Sequence, residues 1–130
     1  MILADTSVWA DHLRGSNPQM QSLLNRGKIA MHPCVVAEIA LGSLKNRQQK
    51  LGAMDSLRKV KVVQMREIRH MIEAHALYSK AMGLTDAHII ASCLLTPGTQ
   101  LWTRDAATKA IAKIIGVSVY NDQTDSMPKP

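Results

Sequence analysis

The chain has 130 residues, 46% of them hydrophobic, and a formal net charge of +6, which indicates one globular domain with its own core and excludes a disordered chain. No apolar run approaches the roughly 20 residues of a membrane-spanning helix, and the N-terminus lacks the basic start of a signal peptide, so we expect no membrane partner. The two cysteines lack CxxC spacing and are typical of reduced, buried thiols, so we expect a cytoplasmic location.

Strand-like and helix-like segments alternate from the N-terminus onward. Apolar runs, helical periodicity and Pro or Gly end signals predict, in chain order, strand 2–5, helix 8–15, helix 17–26, strand 28–32, helix 33–44, helix 46–59, strand 60–63, helix 66–82, helix 85–96, strand 99–103, helix 105–115 and strand 117–120. This alternation predicts an α/β three-layer sandwich with a central parallel sheet of about five strands. We expect a single domain at 1–120 and a flexible tail at 121–130.

Four acidic residues stand where a carboxylate is unexpected or useful. Asp5 and Asp105 each end a strand and precede a helix, Asp86 lies at the start of the most apolar helix, and Glu38 interrupts an apolar helix. In a parallel sheet, ligands bind at the carboxyl ends of the strands, so Asp5 and Asp105 are expected on the same rim. If the fold brings all four together, a divalent cation is the natural way to hold that charge.

Helix capping is the simplest explanation for three of these acids taken singly. Asp5, Asp86 and Asp105 all stand at predicted helix starts, where a carboxylate accepts backbone N–H groups. Glu38 has no such role, and its neighbours Ala37 and Leu41 leave little room for a polar stripe. Capping therefore does not predict the fourth acid, and a shared site does.

The sequence resembles PIN domains in four blocks that occur in the expected order, namely 2–9, 37–39, 85–91 and 101–105. Their spacing is similar to that of the short VapC-type toxins of bacterial type II toxin–antitoxin pairs. The resemblance implies Asp5, Glu38, Asp86 and Asp105 as the acidic quartet, with the hydroxyls of Ser7 and Thr103 beside it. Many relatives carry a further acid or a Phe after the fourth Asp, and residues 106–108 supply neither, which leaves the number of bound metals open.

The resemblance also implies a function. It implies a toxic endoribonuclease that hydrolyses transfer or ribosomal RNA to 5′-phosphate and 3′-hydroxyl ends and is inhibited by a small cognate antitoxin; we also expect a homodimer. Oxygen ligands without a His or Cys cluster suit Mg²⁺, with Mn²⁺ as a substitute. We expect Asp5, Asp86 and Asp105 to bind the metal, and Glu38 to orient the attacking water or support a second ion. The five histidines are interpreted as structural or surface residues.

The positive charge is concentrated in residues 45–69, where eight basic and two acidic residues account for the whole net charge of +6. Such a segment favours an anionic partner, with nucleic acid the first candidate, although a solvated helix face explains the composition equally well. We expect Lys45, Arg47 and Lys50 to hold the RNA backbone. The alternative function is a catalytically inactive PIN-fold module that binds RNA or regulates another protein, and the complete quartet argues against it.

Overall fold

The structure, a computed structural model, describes residues 1–122. The described residues form, in chain order, β1 (Ile2–Ala4), α1 (Thr6–Gly15), α2 (Pro18–Asn25), β2 (Ile29–Met31), α3 (Pro33–Ala40), α4 (Arg47–Asp55), β3 (Arg58–Lys59), α5 (Met65–Ala74), α6 (Leu84–Leu95), β4 (Gln100–Trp102) and α7 (Ala106–Ile115). The predicted α/β class is confirmed. A parallel sheet is flanked by the seven helices of these 122 residues.

The sheet has the strand order β3-β2-β1-β4, and every pair is parallel. Strand β1 therefore lies inside the sheet, and Ala4 at its end pairs with Trp102 of β4. The carboxyl ends of β1 and β4 are adjacent, so the residues that follow them, Asp5 and Thr103, come together at one rim. This register is what assembles the candidate site.

The fifth predicted strand, 117–120, is not confirmed as a strand. Val119 forms an isolated parallel bridge with Leu101, supported by hydrogen bonds from Leu101 N to Ser118 O (2.8 Å) and from Tyr120 N to Leu101 O (2.7 Å). The chain arrives from the end of α7, where Val117 N is bonded to Ala112 O at 2.8 Å. It meets β4 only at this bridge, which is too short to form a strand.

Several further boundaries differ from the predictions. The helix predicted at 33–44 ends at Ala40. The helix predicted at 46–59 ends at Asp55, because the chain there joins the sheet edge as β3 and continues with a bond from Val60 N to Met31 O (3.1 Å). The strand predicted at 60–63 is thus displaced towards the N-terminus. The helix predicted at 66–82 ends at Ala74, and the helix predicted from 85 begins at Leu84.

The loop between α5 and α6 explains the early end of α5. Ala76, Ser79 and Ala81 adopt positive φ angles of 51°, 62° and 56°, a backbone region that cannot continue a right-handed helix. Between them the buried side chain of Leu77 turns into the core. The helix therefore ends just before Ala76 turns to a positive φ, without a Gly or Pro signal, and the buried Leu77 follows.

The core lies around β1 and α6. Leu3 and Ala4 of β1 are fully buried, and α6 buries residues on most of its surface, among them Ile89 and Ile90. Helix α6 is apolar because it is enclosed by its neighbours; none of the described helices is long and apolar enough to cross a membrane. Of the predicted flexible tail, Asp122 is buried, and residues 123–130 lie outside the described part of the chain.

Candidate active site

Asp5 is the buried centre of the site. Its side chain is only 5% exposed and accepts hydrogen bonds from Ser7 Oγ (2.5 Å) and Val8 N (3.3 Å) on Oδ1, and from Thr103 Oγ1 on Oδ2. The bond from Val8 N caps α1, so Asp5 is a helix cap, as its position in the sequence predicted. The bond from Thr103 adds a connection across the rim, from the end of β1 to the end of β4.

Asp105 lies beside it as the N-cap of α7. Its Oδ2 accepts bonds from Thr108 N (3.1 Å) and Thr108 Oγ1 (2.5 Å), and these bonds hold the pKa of Asp105 below its ordinary value. The Asp105 backbone N–H in turn donates to Thr103 Oγ1 at 3.1 Å. The buried Thr103 hydroxyl thus contacts both acidic residues. Sequence reasoning missed Thr108, although its position three residues after a capping Asp is a recognisable signal.

Asp86 shows that the four acids share one environment. It lies in the first turn of α6 and is half-buried. Burial raises its pKa, and so do the negative charges of Asp5, Asp105 and Glu38, in that order, while a hydrogen bond with the Gly83 backbone acts in the opposite direction. The structure therefore brings together all four acids that the sequence singled out.

Glu38 is held differently from what its sequence neighbours suggested. The sequence analysis expected little room for an exposed stripe beside Glu38, yet Ala37 and Glu38 are exposed and Leu41 is 88% exposed. One face of α3 is simply not packed on the core. There Glu38 Oε1 accepts a hydrogen bond from Thr6 Oγ1 at 2.5 Å, so Thr6, which sequence reasoning missed, places this carboxylate against the start of α1.

The three basic residues predicted to hold RNA have two different environments. Lys45 and Lys50 line a cavity of about 480 Å³ that Thr6 and Glu38 also line. The Arg47 guanidinium instead donates to two backbone carbonyls, that of Ala40 at the end of α3 and that of Gly42 just beyond it, the latter at 3.2 Å. Arg47 therefore satisfies carbonyl groups at the end of α3, whereas the two lysines carry their charge next to the acidic site.

Arg104 stands between Thr103 and Asp105 in sequence but pairs outside the quartet. Its Nη2 lies 3.2 Å from Asp122 Oδ2 and 3.4 Å from Asp11 Oδ2. Asp122 Oδ2 also accepts a hydrogen bond from Trp102 Nε1 at 3.3 Å. Through these contacts Asp122, the last described residue, is held against the residues around Asp105. No sequence pattern predicted them.

The donor set fits a hard divalent cation. Four carboxylates lie near enough to act on one another, since burial and then the charges of Asp5, Asp105 and Glu38 raise the pKa of Asp86. Such an arrangement of oxygen donors suits Mg²⁺ or Mn²⁺. Asp86, Asp105 and Glu38 are accessible enough to reach an ion, and Asp5 is fixed beneath them by its hydrogen bonds.

Comparison with known proteins gives concordant matches. The family model described as PIN domain matches residues 2–114, a span that contains all four acids. Ribonuclease VapC32 of Mycobacterium tuberculosis is 37% identical over 122 residues, which cover 94% of this chain and 98% of that relative. The match is the same for the protein of strain CDC 1551 / Oshkosh and for that of strain ATCC 25618 / H37Rv.

Proposed function

This chain belongs to the PIN-domain family, as its four sequence blocks predicted, and from that premise we propose that it is a metal-dependent endoribonuclease and the toxin of a toxin–antitoxin pair. The single observation that carries the proposal is that the four acids share one environment, in which burial and then the charges of Asp5, Asp105 and Glu38 raise the pKa of Asp86. A cluster of uncompensated carboxylates destabilises a metal-free fold, and it is explained by a function that requires a cation. The similarity to a ribonuclease supports RNA as the substrate.

The metal would be held by Asp5, Asp86 and Asp105. When bound, Mg²⁺ supplies Lewis acidity that polarises the phosphate oxygens and lowers the pKa of a water. The protein's own contribution is to hold the ligands in place. Thr103 and Ser7 donate to the two oxygens of Asp5, and Thr108 orients Asp105, so little reorganisation of these side chains is needed during the reaction.

Glu38 is assigned the proton-accepting role. Thr6 occupies its Oε1, which leaves Oε2 to accept a proton from the attacking water. The water oxygen forms a bond to phosphorus in line with the P–O3′ bond, which breaks as the 3′ oxygen leaves and takes a proton from solvent. The products are a 5′-phosphate and a 3′-hydroxyl.

Lys45 and Lys50 are assigned to the RNA backbone. Both line the cavity that contains Glu38, so a phosphate bound there lies beside the reacting group. Their positive charge offsets the repulsion that four carboxylates exert on a polyanion. Phosphate contacts position a nucleic acid without reading its bases, so these lysines contribute affinity and leave the choice of cleavage site to other contacts.

The proposed partners follow from the toxin assignment. We expect a small antitoxin whose binding covers the acidic site, a transfer or ribosomal RNA as substrate, and a homodimer. Expression of the chain alone should arrest growth, and co-expression of the antitoxin should relieve the arrest. A harmless chain that purifies as an active nuclease would remove the toxin assignment and leave the nuclease assignment standing.

A cleavage assay with matched variants tests the enzymatic proposal. Purified protein should cleave RNA in Mg²⁺ or Mn²⁺ and lose that activity in excess EDTA. Asp5→Asn and Glu38→Gln should abolish cleavage, whereas Asp55→Asn, which changes an exposed acid of α4, should retain it. Wild-type protein that binds RNA and never cleaves it in either metal would favour the inactive binding module. Full activity of Asp5→Asn in EDTA would refute the site assignment.

A further inference from the structure

A second group of possible metal-binding side chains lies near the end of β2 and shares no ligand with the four carboxylates. His32 is the N-cap of α3, Cys34 lies in the first turn of that helix, and His88 lies on α6. One possible ligand atom from each lies within 4.8 Å of the other two. The imidazole rings of His32 and His88 have centroids 5.8 Å apart and are tilted by 57°. The sequence analysis interpreted all five histidines as structural or surface residues, and it did not foresee that folding brings two of them together with a thiol.

The two imidazoles carry buried nitrogens without partners. His32 is 1% exposed; its Nδ1 accepts a hydrogen bond from Cys34 N at 2.9 Å, and its Nε2 has no hydrogen-bond partner among the described residues. His88 Nδ1 is likewise buried and unpartnered in that part of the chain. A buried polar atom without a partner is unfavourable and rare in folded proteins, so two in neighbouring rings require an explanation.

We propose that His32, Cys34 and His88 form a second metal site, separate from the carboxylates, that binds a borderline or soft cation such as Zn²⁺. Imidazole and thiolate ligands suit Zn²⁺, whereas Mg²⁺ prefers oxygen, so the two sites select different ions. Three protein ligands leave the fourth tetrahedral position to a water molecule.

The distances permit coordination after a small contraction. Zn–N and Zn–S bonds of about 2.0–2.3 Å place tetrahedral ligand atoms on the order of 3.5 Å apart. The three ligand atoms now lie within 4.8 Å of one another, so ion binding must shorten these distances by roughly 1 Å. Rotation of half-buried side chains can produce this change. Cys34 and His88 are both half-buried and have that freedom.

The protonation states define what binding must change. Burial, followed by the charge of His88, lowers the pKa of His32 to about 4, so this ring is neutral near pH 7. Its Nδ1 accepts the Cys34 amide, so the neutral ring carries its proton on Nε2. Ligation through Nε2 shifts that proton to Nδ1 and releases the Cys34 amide from its acceptor. Burial and the charge of Glu38 raise the pKa of Cys34, so its thiol must also lose a proton to the solvent.

The position of the site gives it a structural consequence. Cys34 lies one helical turn before Glu38 on α3, and His88 follows Asp86 by two residues on α6. An ion bound to both helices ties together the supports of two carboxylates that the cleavage site uses. We therefore expect Zn²⁺ to raise the melting temperature even when the carboxylate site is disabled.

Spectroscopy of cobalt-loaded protein tests the ligand set directly. The full chain, in a non-thiol reductant and excess Mg²⁺, is titrated with Co²⁺, whose thiolate complexes give a charge-transfer band in the near ultraviolet. We expect this band in the wild type, in Cys93→Ser and in Asp5→Asn, and its loss in Cys34→Ser. The Cys93 variant is the matched control because it changes the other cysteine, which is buried. The Asp5 variant separates this site from the carboxylates.

Two further measurements keep the test decisive if Cys34→Ser fails to fold. His32→Asn retains an oxygen that caps the Cys34 amide and lacks only the Nε2 ligand, so it should fold and bind Co²⁺ at least roughly tenfold more weakly. In the wild type, Zn²⁺ should shift the NMR signal of the Cys34 amide. A wild type without the band, a band that survives in both ligand variants, or one lost in Asp5→Asn would overturn the proposal.

Discussion

Replacement of Thr103 by Val tests how much the site depends on a single hydroxyl group. Val has nearly the same shape as Thr, so the change removes the hydroxyl without opening a cavity. That hydroxyl is 1% exposed, donates to the buried carboxylate of Asp5 and accepts the Asp105 backbone N–H at 3.1 Å. The variant leaves a buried charge with one donor fewer and an amide without its acceptor.

The magnitude follows from these two contacts. A hydrogen bond to a charged group contributes about 1.5–3 kcal/mol to stability. Loss of the acceptor of an amide N–H costs less than about 1 kcal/mol where water can take its place. Asp105 is exposed, so water can replace the lost acceptor there. We therefore expect Thr103→Val to lose about 2–4 kcal/mol of unfolding free energy, a fall in Tm of roughly 6–20 °C for a domain of this size.

The rate of RNA cleavage by Thr103→Val should also fall, because Asp5 is no longer held in one orientation. Loss of a residue that orients a metal ligand typically lowers metal affinity or activity by about 10–100-fold. Denaturant unfolding and an RNA cleavage assay provide the two measurements. Thr103→Ser is the control, because it keeps the hydroxyl. Ser7→Ala removes the donor to the other oxygen of Asp5, and because Ser7 is more exposed, this variant should lose less unfolding free energy. Equal stability and activity of the Val and Ser variants would refute the reasoning.

Three other predictions concern charge. In EDTA, Asp86→Asn should be more stable than the wild type at pH 7, because the pKa of Asp86 is raised in the folded state. The wild type is stabilised by the protonated form only at low pH and loses that stabilisation as pH rises through the folded pKa. The stability advantage of the variant should therefore shrink towards pH 4, and thermal melts at both pH values measure it. Arg104→Met should cost about 1–3 kcal/mol in urea unfolding, because it removes a guanidinium that lies 3.2 Å from the buried carboxylate of Asp122. Asp11→Asn, which changes the exposed partner of Arg104, should cost less than about 0.5 kcal/mol. Changing Lys45 and Lys50 together to Ala should weaken RNA binding in Ca²⁺ and reduce the slope of log affinity against log salt by about 0.7 per lost contact, without moving the cleavage position.

Each of these predictions has an outcome that contradicts it. A constant difference between Asp86→Asn and the wild type from pH 4 to pH 7 would mean that the gain does not come from ionisation. Equal costs for Arg104→Met and Asp11→Asn would mean that the buried partner does not matter. For the lysines, the control is Lys28→Ala, an exposed residue just before β2 and thus at the opposite rim of the sheet. An equal change of slope per lost lysine in the two variants would mean that only net charge matters.

The sequence alone determined those features that depend on neighbours within a helical turn or a strand. Asp5 and Asp105 end strands and cap helices because their carboxylates reach N–H groups three residues ahead, a local geometry that the residue order dictates. The alternation of short apolar strands with helices specified a parallel sheet, and the rim position of both acids followed from it. Four blocks in order were enough to identify the family, which the comparisons confirm.

Only the tertiary structure decided the contacts between distant segments. Glu38 meets Thr6 across 32 positions, and Thr103 meets Asp5 across 98, because the order of the strands and the packing of the helices place these residues together. The same holds for the group of His32, Cys34 and His88. Such pairs have no periodicity or spacing in the sequence, since their distance depends on how whole elements pack rather than on the chain between them.

Burial was likewise decided by packing. The apolar neighbours of Glu38 suggested an enclosed helix, yet Leu41 is 88% exposed, because hydrophobic character permits burial without enforcing it. Conversely, the polar residue Asp122 is 2% exposed, because the indole N–H of Trp102 and the guanidinium of Arg104 satisfy its carboxylate in the fold. Sequence patterns indicate whether a side chain can be buried. Whether it is buried depends on the elements that pack against it, which are distant along the chain.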